Sequence, residues 1–158
     1  MLRAILTAAT ATAIFAAPAF ATGLVAEQSV MKVVEVTNPS GEVETELVNA
    51  SVVAPGETVQ YGLTYINEGV EPVEDMVLTM PVPDSLRYLE TTAEAPGTDV
   101  SYSVDGGLTY GQRADLTIEV DGADVAATAA DITHIRWAFV EPVNTGDDGS
   151  VSFQAILR

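Results

Sequence analysis

His134 is the only histidine in a chain that has no cysteine. The missing thiols exclude disulfides, zinc–thiolate centres, iron–sulfur clusters and cysteine nucleophiles together. Any Ser-His-Asp relay must therefore run through His134, and no G-x-S-x-G elbow stands anywhere in the chain to present a serine. Metal capture through imidazole usually recruits several His or Cys ligands, which are absent here. Alternation places His134, Arg136 and Ala138 on one strand face, opposite Ile135, Trp137 and Phe139. His134 is thus expected at a surface or in a cross-strand contact.

Carboxylates are abundant, with 23 Asp plus Glu against 6 Lys plus Arg. At that density two acids fall within glycosidase spacing by chance, so proximity alone is uninformative. A sugar site would also need aromatic platforms, and aromatics make up only 6% of the chain. Hard cations favour oxygen ligands, and several turns carry them: Asp105-Gly106, Asp121-Gly122-Ala123-Asp124 and Gly146-Asp147-Asp148-Gly149. None has EF-hand spacing, and Asp and Gly also form turns for backbone reasons alone. No metal or other cofactor is expected; should calcium bind, Asp147 and Asp148 are the candidate ligands. A hydrolase is the third and weakest functional reading.

Glu42, Glu44 and Glu46 alternate with Val43, Thr45 and Leu47, lining one face with carboxylates. If Asn38-Pro39-Ser40-Gly41 closes a hairpin with Val36 opposite Val43, Glu35 faces Glu44. Like charges across a ladder are unfavourable, which invites a cation, a basic partner or a different register. Exposed charge also guards a free edge against aggregation, and a solvated edge is the expectation.

The elements that position these residues read as strands. Val59, Tyr61, Leu63 and Tyr65 share one face of a strand bounded by Pro55-Gly56 and Asn67-Glu68-Gly69. Val151, Phe153, Ala155 and Leu157 form the inward face of a last strand. Together with Ile135, Trp137 and Phe139 they make the expected core, with Trp137 its anchor. Further strands are expected over Val30 to Val36, Val43 to Val48, Val73 to Thr79, Tyr102 to Val104 and Leu116 to Val120. Only Ala123 to Asp131 looks helical. Short strands with frequent turns predict antiparallel sheets rather than βαβ units.

The chain has 158 residues, a net charge of −17 and 47% hydrophobic residues. That apolar content argues for a folded domain rather than an acidic tail. So few bases cannot neutralise a run of phosphates, which excludes nucleic acid as a partner; an anionic membrane surface would repel the chain. Met1-Leu2-Arg3, the apolar run Ala4 to Phe15 and Ala19-Phe20-Ala21 read as a secretory signal peptide over residues 1–21, cleaved before Thr22. The apolar run falls short of the ~20 residues that span a bilayer, and no later run reaches that length, so no membrane insertion is expected. Residues 22–158 read as one exported domain, periplasmic or extracellular.

Val53-Ala54-Pro55-Gly56-Glu57-Thr58-Val59-Gln60-Tyr61, followed by Tyr65-Ile66-Asn67-Glu68-Gly69, resembles the opening of the bacterial conserved-repeat domain, the module catalogued as domain-of-unknown-function family eleven. Pro72 to Pro83 is similar to its next strand and proline-bounded exit. Ser103-Val104-Asp105-Gly106-Gly107, Thr133 to Trp137 and Gly149 to Phe153 resemble its later strands, so the likeness spans residues 48–158. Met80 departs from the pattern, which often places an acid there. The resemblance implies an antiparallel immunoglobulin-like β-sandwich, of about seven to nine strands, used in surface and secreted proteins, and it implies no reaction. Asn49-Ala50-Ser51, formally a glycosylation sequon, carries no weight in a bacterial product. The expected function is a non-enzymatic envelope or secreted module, structural or binding a protein partner or itself. The alternative is a calcium-dependent domain for glycan or matrix.

Overall fold

The computed structural model describes residues 23–158. The signal-peptide reading of residues 1–21, and cleavage before Thr22, lie outside the described residues. Ten strands follow one another: β1 (Leu24–Thr37), β2 (Val43–Asn49), β3 (Thr58–Asn67), β4 (Val77–Pro81), β5 (Leu86–Tyr88), β6 (Thr98–Ser103), β7 (Thr117–Val120), β8 (Ala123–Ala126), β9 (His134–Phe139) and β10 (Asp148–Leu157). All pair antiparallel, in sheets ordered β2-β1-β3-β10-β5, β4-β9-β6 and β7-β8. The chain is all-β, with no α-helix among the described residues; one 3-10 turn spans Arg113–Asp115. No helix among them is long and apolar enough to cross a membrane.

Both larger sheets feed one core. Val59 from β3, Val151, Phe153 and Ala155 from β10, and Tyr88 from β5 are buried with Leu78 and Met80 from β4 and Ile135 and Trp137 from β9. Tyr61, Leu63, Tyr65 and Phe139 are partly buried and pack against this cluster. Aromatic contacts join the sheets: Tyr65 meets Phe139 edge-on at 5.1 Å, and Tyr88 meets Tyr102 of β6 at 5.5 Å between ring centroids. Trp137 is fully buried and its indole N–H donates to the Ala93 carbonyl at 2.7 Å. That bond resolves the cost of taking an indole N–H out of water. Met80 is 1% exposed and fills this core.

Two expectations are corrected. Ala123 to Asp131 is not helical: Ala123–Ala126 is β8, and residues 129–131 form a turn. Asp121 (φ 52°) and Gly122 (φ 81°) both adopt positive φ between paired Val120 and Ala123. Two such residues make the hairpin turn that matches strand twist, and this local hairpin pairing with β7 overrides the helix preference of alanine. The two larger sheets together hold eight strands, and β7 and β8 pair separately from them; β5, only three residues long, is a strand the sequence reading did not anticipate. The β1–β2 register is one residue later than expected: Thr37 opposes Val43, and Glu35 faces Thr45, not Glu44. Asn38 sets that register. Its Oδ1 accepts from the Ser40 and Glu42 amides, and its Nδ2 donates to Glu42 and Glu44, closing a five-residue loop.

Candidate functional site

The acids that most resemble chemistry are held by turns. Asp147 Oδ2 accepts from the Asn144 amide at 2.9 Å and from its side-chain Nδ2 at 3.0 Å, which closes the turn into β10. Asp148 opens β10 opposite Ile66, and both acids are exposed. Beside them a shallow cleft of about 380 Å³ is lined by Tyr65, Phe139, Pro142 and Asp147 among others. Burial pushes the Tyr65 phenol up, and the charges of Asp147 and Asp148 push it further the same way. Among the described residues no three His, Asp or Glu side chains converge as metal ligands.

Asn67 anchors the same region from below. Its side chain is 1% exposed, donates to the Glu71 and Val143 carbonyls at 2.9 Å each, and accepts from the Gly69 amide. Its backbone bonds Asp147 and Gly146 as well. One buried amide thus binds two turns to the end of β3. Sequence reading placed Asn67 in a turn because Asn-x-Gly is a turn signal; the burial comes from the approach of Val143, remote in sequence.

Ser103, Asp105 and His134 meet at one place, on β6, its following loop and β9. Their bonds run in an order that does not activate a nucleophile. Ser103 Oγ donates to Asp105 Oδ1 at 2.7 Å and accepts from the Gly107 amide, while Asp105 also takes the Leu108 and Thr109 amides and the Thr109 hydroxyl. His134 Nδ1 sits 3.3 Å from the Thr133 hydroxyl instead of bonding Asp105. Ser103 is fully buried, whereas a nucleophile must reach substrate. The hydrogen bonds from Thr109 and Ser103 hold the Asp105 carboxyl well below the usual range. Desolvation lowers His134, and the Asp105 charge opposes that shift.

The same use of carboxylates recurs. Glu57 accepts from the Ala54 amide and from Lys32 Nζ, each at 2.7 Å, and both bonds lower its pKa. Asp131 closes the Thr128 turn through the Thr128 amide and hydroxyl, which hold it low as well. Arg113 grips Glu90 through Nε and Nη2. Arg136 has its guanidinium carbon 3.4 Å from the Tyr110 ring centroid, a cation–π contact formed where a loop folds over β9. Sequence gave no signal for that pair.

Glu42 and Glu44 accept from Asn38 in the hairpin loop, and with Glu46 they stand away from the core. All seven β2 residues are exposed, and no β2 residue enters the core. On one face Glu44 and Glu46 stand beside Val36 and Val34 of β1, and Val48 stands beside Lys32. On the other, Val43 and Leu47 are 65% and 44% exposed. Of β1 only Leu24 packs against the core. β2 therefore presents an edge, exposed apolar side chains and alternating acids outside the core.

The chain matches no known protein family, no curated protein and no solved structure.

Proposed function

We propose that the chain is an exported, non-enzymatic module of the cell envelope or extracellular space. In this reading the two larger sheets form an immunoglobulin-like β-sandwich that acts by protein contact. The carrying observation is the division of labour among side chains. The acids that resemble catalytic or metal-binding groups are spent on closing turns, as at Asp105, Asp131 and Asp147. The feature left open is the outer edge of β2, an exposed strand paired on one side only among the described residues. Fold alone does not assign function; that edge supports contact because its backbone and apolar side chains are offered to solvent together. The signal-peptide pattern supports export.

A calcium-dependent glycan- or matrix-binding domain is the second reading, favoured only by the adjacency of exposed Asp147 and Asp148 to the Tyr65 cleft. The test is photo-crosslinking in the producing cell, with the reactive group at Thr45 on β2 or at Thr79 on the other sheet. Covalent protein adducts from Thr45, in a fraction outside the cytoplasm, support the proposal. Retention in the cytoplasm, or no protein adduct from either position, contradicts it.

A further inference from the structure

We infer that the open edge of β2 accepts an extended partner strand carrying Lys or Arg at alternate positions. This deepens the contact reading above and rests on it. Among the described residues nothing pairs with the outer side of β2, the last strand of its sheet.

The orientation of the free backbone groups follows from two bonds. The Asn38 amide donates to the Glu42 carbonyl, and the Glu68 amide donates to the Gly23 carbonyl. Antiparallel pairs alternate between exchanging both bonds and exchanging none. In the observed registers, odd-numbered β1 residues therefore bond β3, and even-numbered ones bond β2. Glu44, Glu46 and Val48 turn their amides toward β1. Val43, Thr45, Leu47 and Asn49 turn theirs to the open edge.

A strand added there would exchange hydrogen bonds with Val43, Thr45 and Leu47. It would meet Glu44 and Glu46 in the non-bonded pairs, where side chains come closest, with Cα atoms ~4.5 Å apart. Two carboxylates two residues apart in close pairs select cations at every second position of the arriving strand. A second copy of β2, paired with Thr45 opposite Val43, Thr45 or Leu47, would set Glu44 or Glu46 against another glutamate there, which is unfavourable. Natural edges are blunted by charged side chains, Pro, a bulge or inward charge; on β2 that charge is Glu44 and Glu46, which repel acidic strands and attract basic ones. Here β2 has no Pro or Lys, its pairing with β1 runs without a break, and Val43 and Leu47 remain exposed. The edge is thus closed to copies of itself and open to a basic strand.

The test uses the purified protein and a peptide as long as β2, with Lys at alternate positions and Val or Thr between. A matched peptide carries Glu in place of Lys. Amide shifts and protection should concentrate at Val43, Thr45 and Leu47 with the Lys peptide. Glu44→Gln with Glu46→Gln should weaken binding roughly tenfold at low salt, as two charged cross-strand pairs are lost. Thr45→Pro should abolish binding while leaving the melting temperature nearly unchanged, because the Thr45 N–H is not used within the sheet and edge strands tolerate proline. Should that variant unfold, a Lys peptide N-methylated at its β2-facing amides serves instead, and it should not bind.

Equal binding of both peptides, Lys-peptide binding that survives Thr45→Pro or N-methylation, or dimerisation through β2 would each overturn the inference. So would a Lys peptide that fails to bind. Because the contact reading is judged by adducts in the cell, adducts from Thr45 alongside a silent Lys peptide would reject the basic strand and leave that reading standing.

Discussion

The ring of Tyr65 occupies the space that a side chain on Gly149, its partner across the β3–β10 ladder, would fill. A Cβ built at Gly149 would lie 2.5 Å from the phenol oxygen and 2.8 Å from the carbon that bears it. Glycine in a strand interior weakens it, and an aromatic laid across the gap restores cover. Tyr65 is held over the gap by Phe139, which it meets at 85°.

Gly149→Ala should therefore cost about 1–3 kcal/mol, the range for overpacking a fitted site. Chemical denaturation of a double-mutant cycle checks this, since the alanine should cost much less when Tyr65 is already Ala. Equal costs in both backgrounds would mean the ring does not occupy that space.

Trp137→Ala should destabilise by about 3–5 kcal/mol, the range for deleting a buried aromatic. Trp137→Phe restores most of the apolar volume but leaves the Ala93 carbonyl without its donor, and should still cost roughly 1–3 kcal/mol. A loss under ~1 kcal/mol for Trp137→Ala would place the indole outside the core.

The pH response can be followed through the single histidine by NMR. Burial puts the folded-state pKa of His134 below its ordinary value of 6.5, so between the two values the unfolded chain holds more protons. Stability should be fully present above 6.5 and fall as the pH drops through that window; His134→Gln should flatten this slope. Asp105→Asn removes an opposing negative charge, so the His134 titration should move lower still. Asp105 itself is depressed, so its contribution is present above its ordinary 3.8 and is lost as the pH falls below that value. A His134 titration at or above its ordinary value would contradict this arrangement.

The core was legible because its strands alternate cleanly. Val59 to Tyr65, Ile135 to Phe139 and Val151 to Leu157 show a period of two, and all of these inward positions are buried or pack on the core. Trp137 as anchor follows from the same pattern. β8 was not legible, since its alanines favour helix and only pairing with β7 makes them a strand. The one-residue shift between β1 and β2 depends on four hydrogen bonds made by the Asn38 side chain, which no periodicity reports. The site was half legible. The alternating glutamates of β2 could be read directly, whereas the turn-closing duties of Asp105 and Asp147 required the fold.

Sodium and calcium chlorides at equal ionic strength should raise the melting temperature about equally. A charge of −17 repels itself, and ~0.1 M salt screens beyond about 10 Å. A ligand that binds only the folded state must add stabilisation of its own. A calcium-specific rise of several degrees, abolished by Asp147→Asn with Asp148→Asn, would favour the glycan or matrix reading over the contact module.

Hydrogen exchange along β2 in the free, monomeric protein tests the open edge most directly. Amides bonded within a sheet exchange slowly, and unpaired ones exchange at rates set by solvent access. The geometry predicts alternation residue by residue: Glu44, Glu46 and Val48 protected through β1, with Val43, Thr45 and Leu47 exchanging far faster. Uniform protection along β2, or protection at the odd-numbered residues instead, would mean the edge is already occupied or differently paired, and would contradict the account.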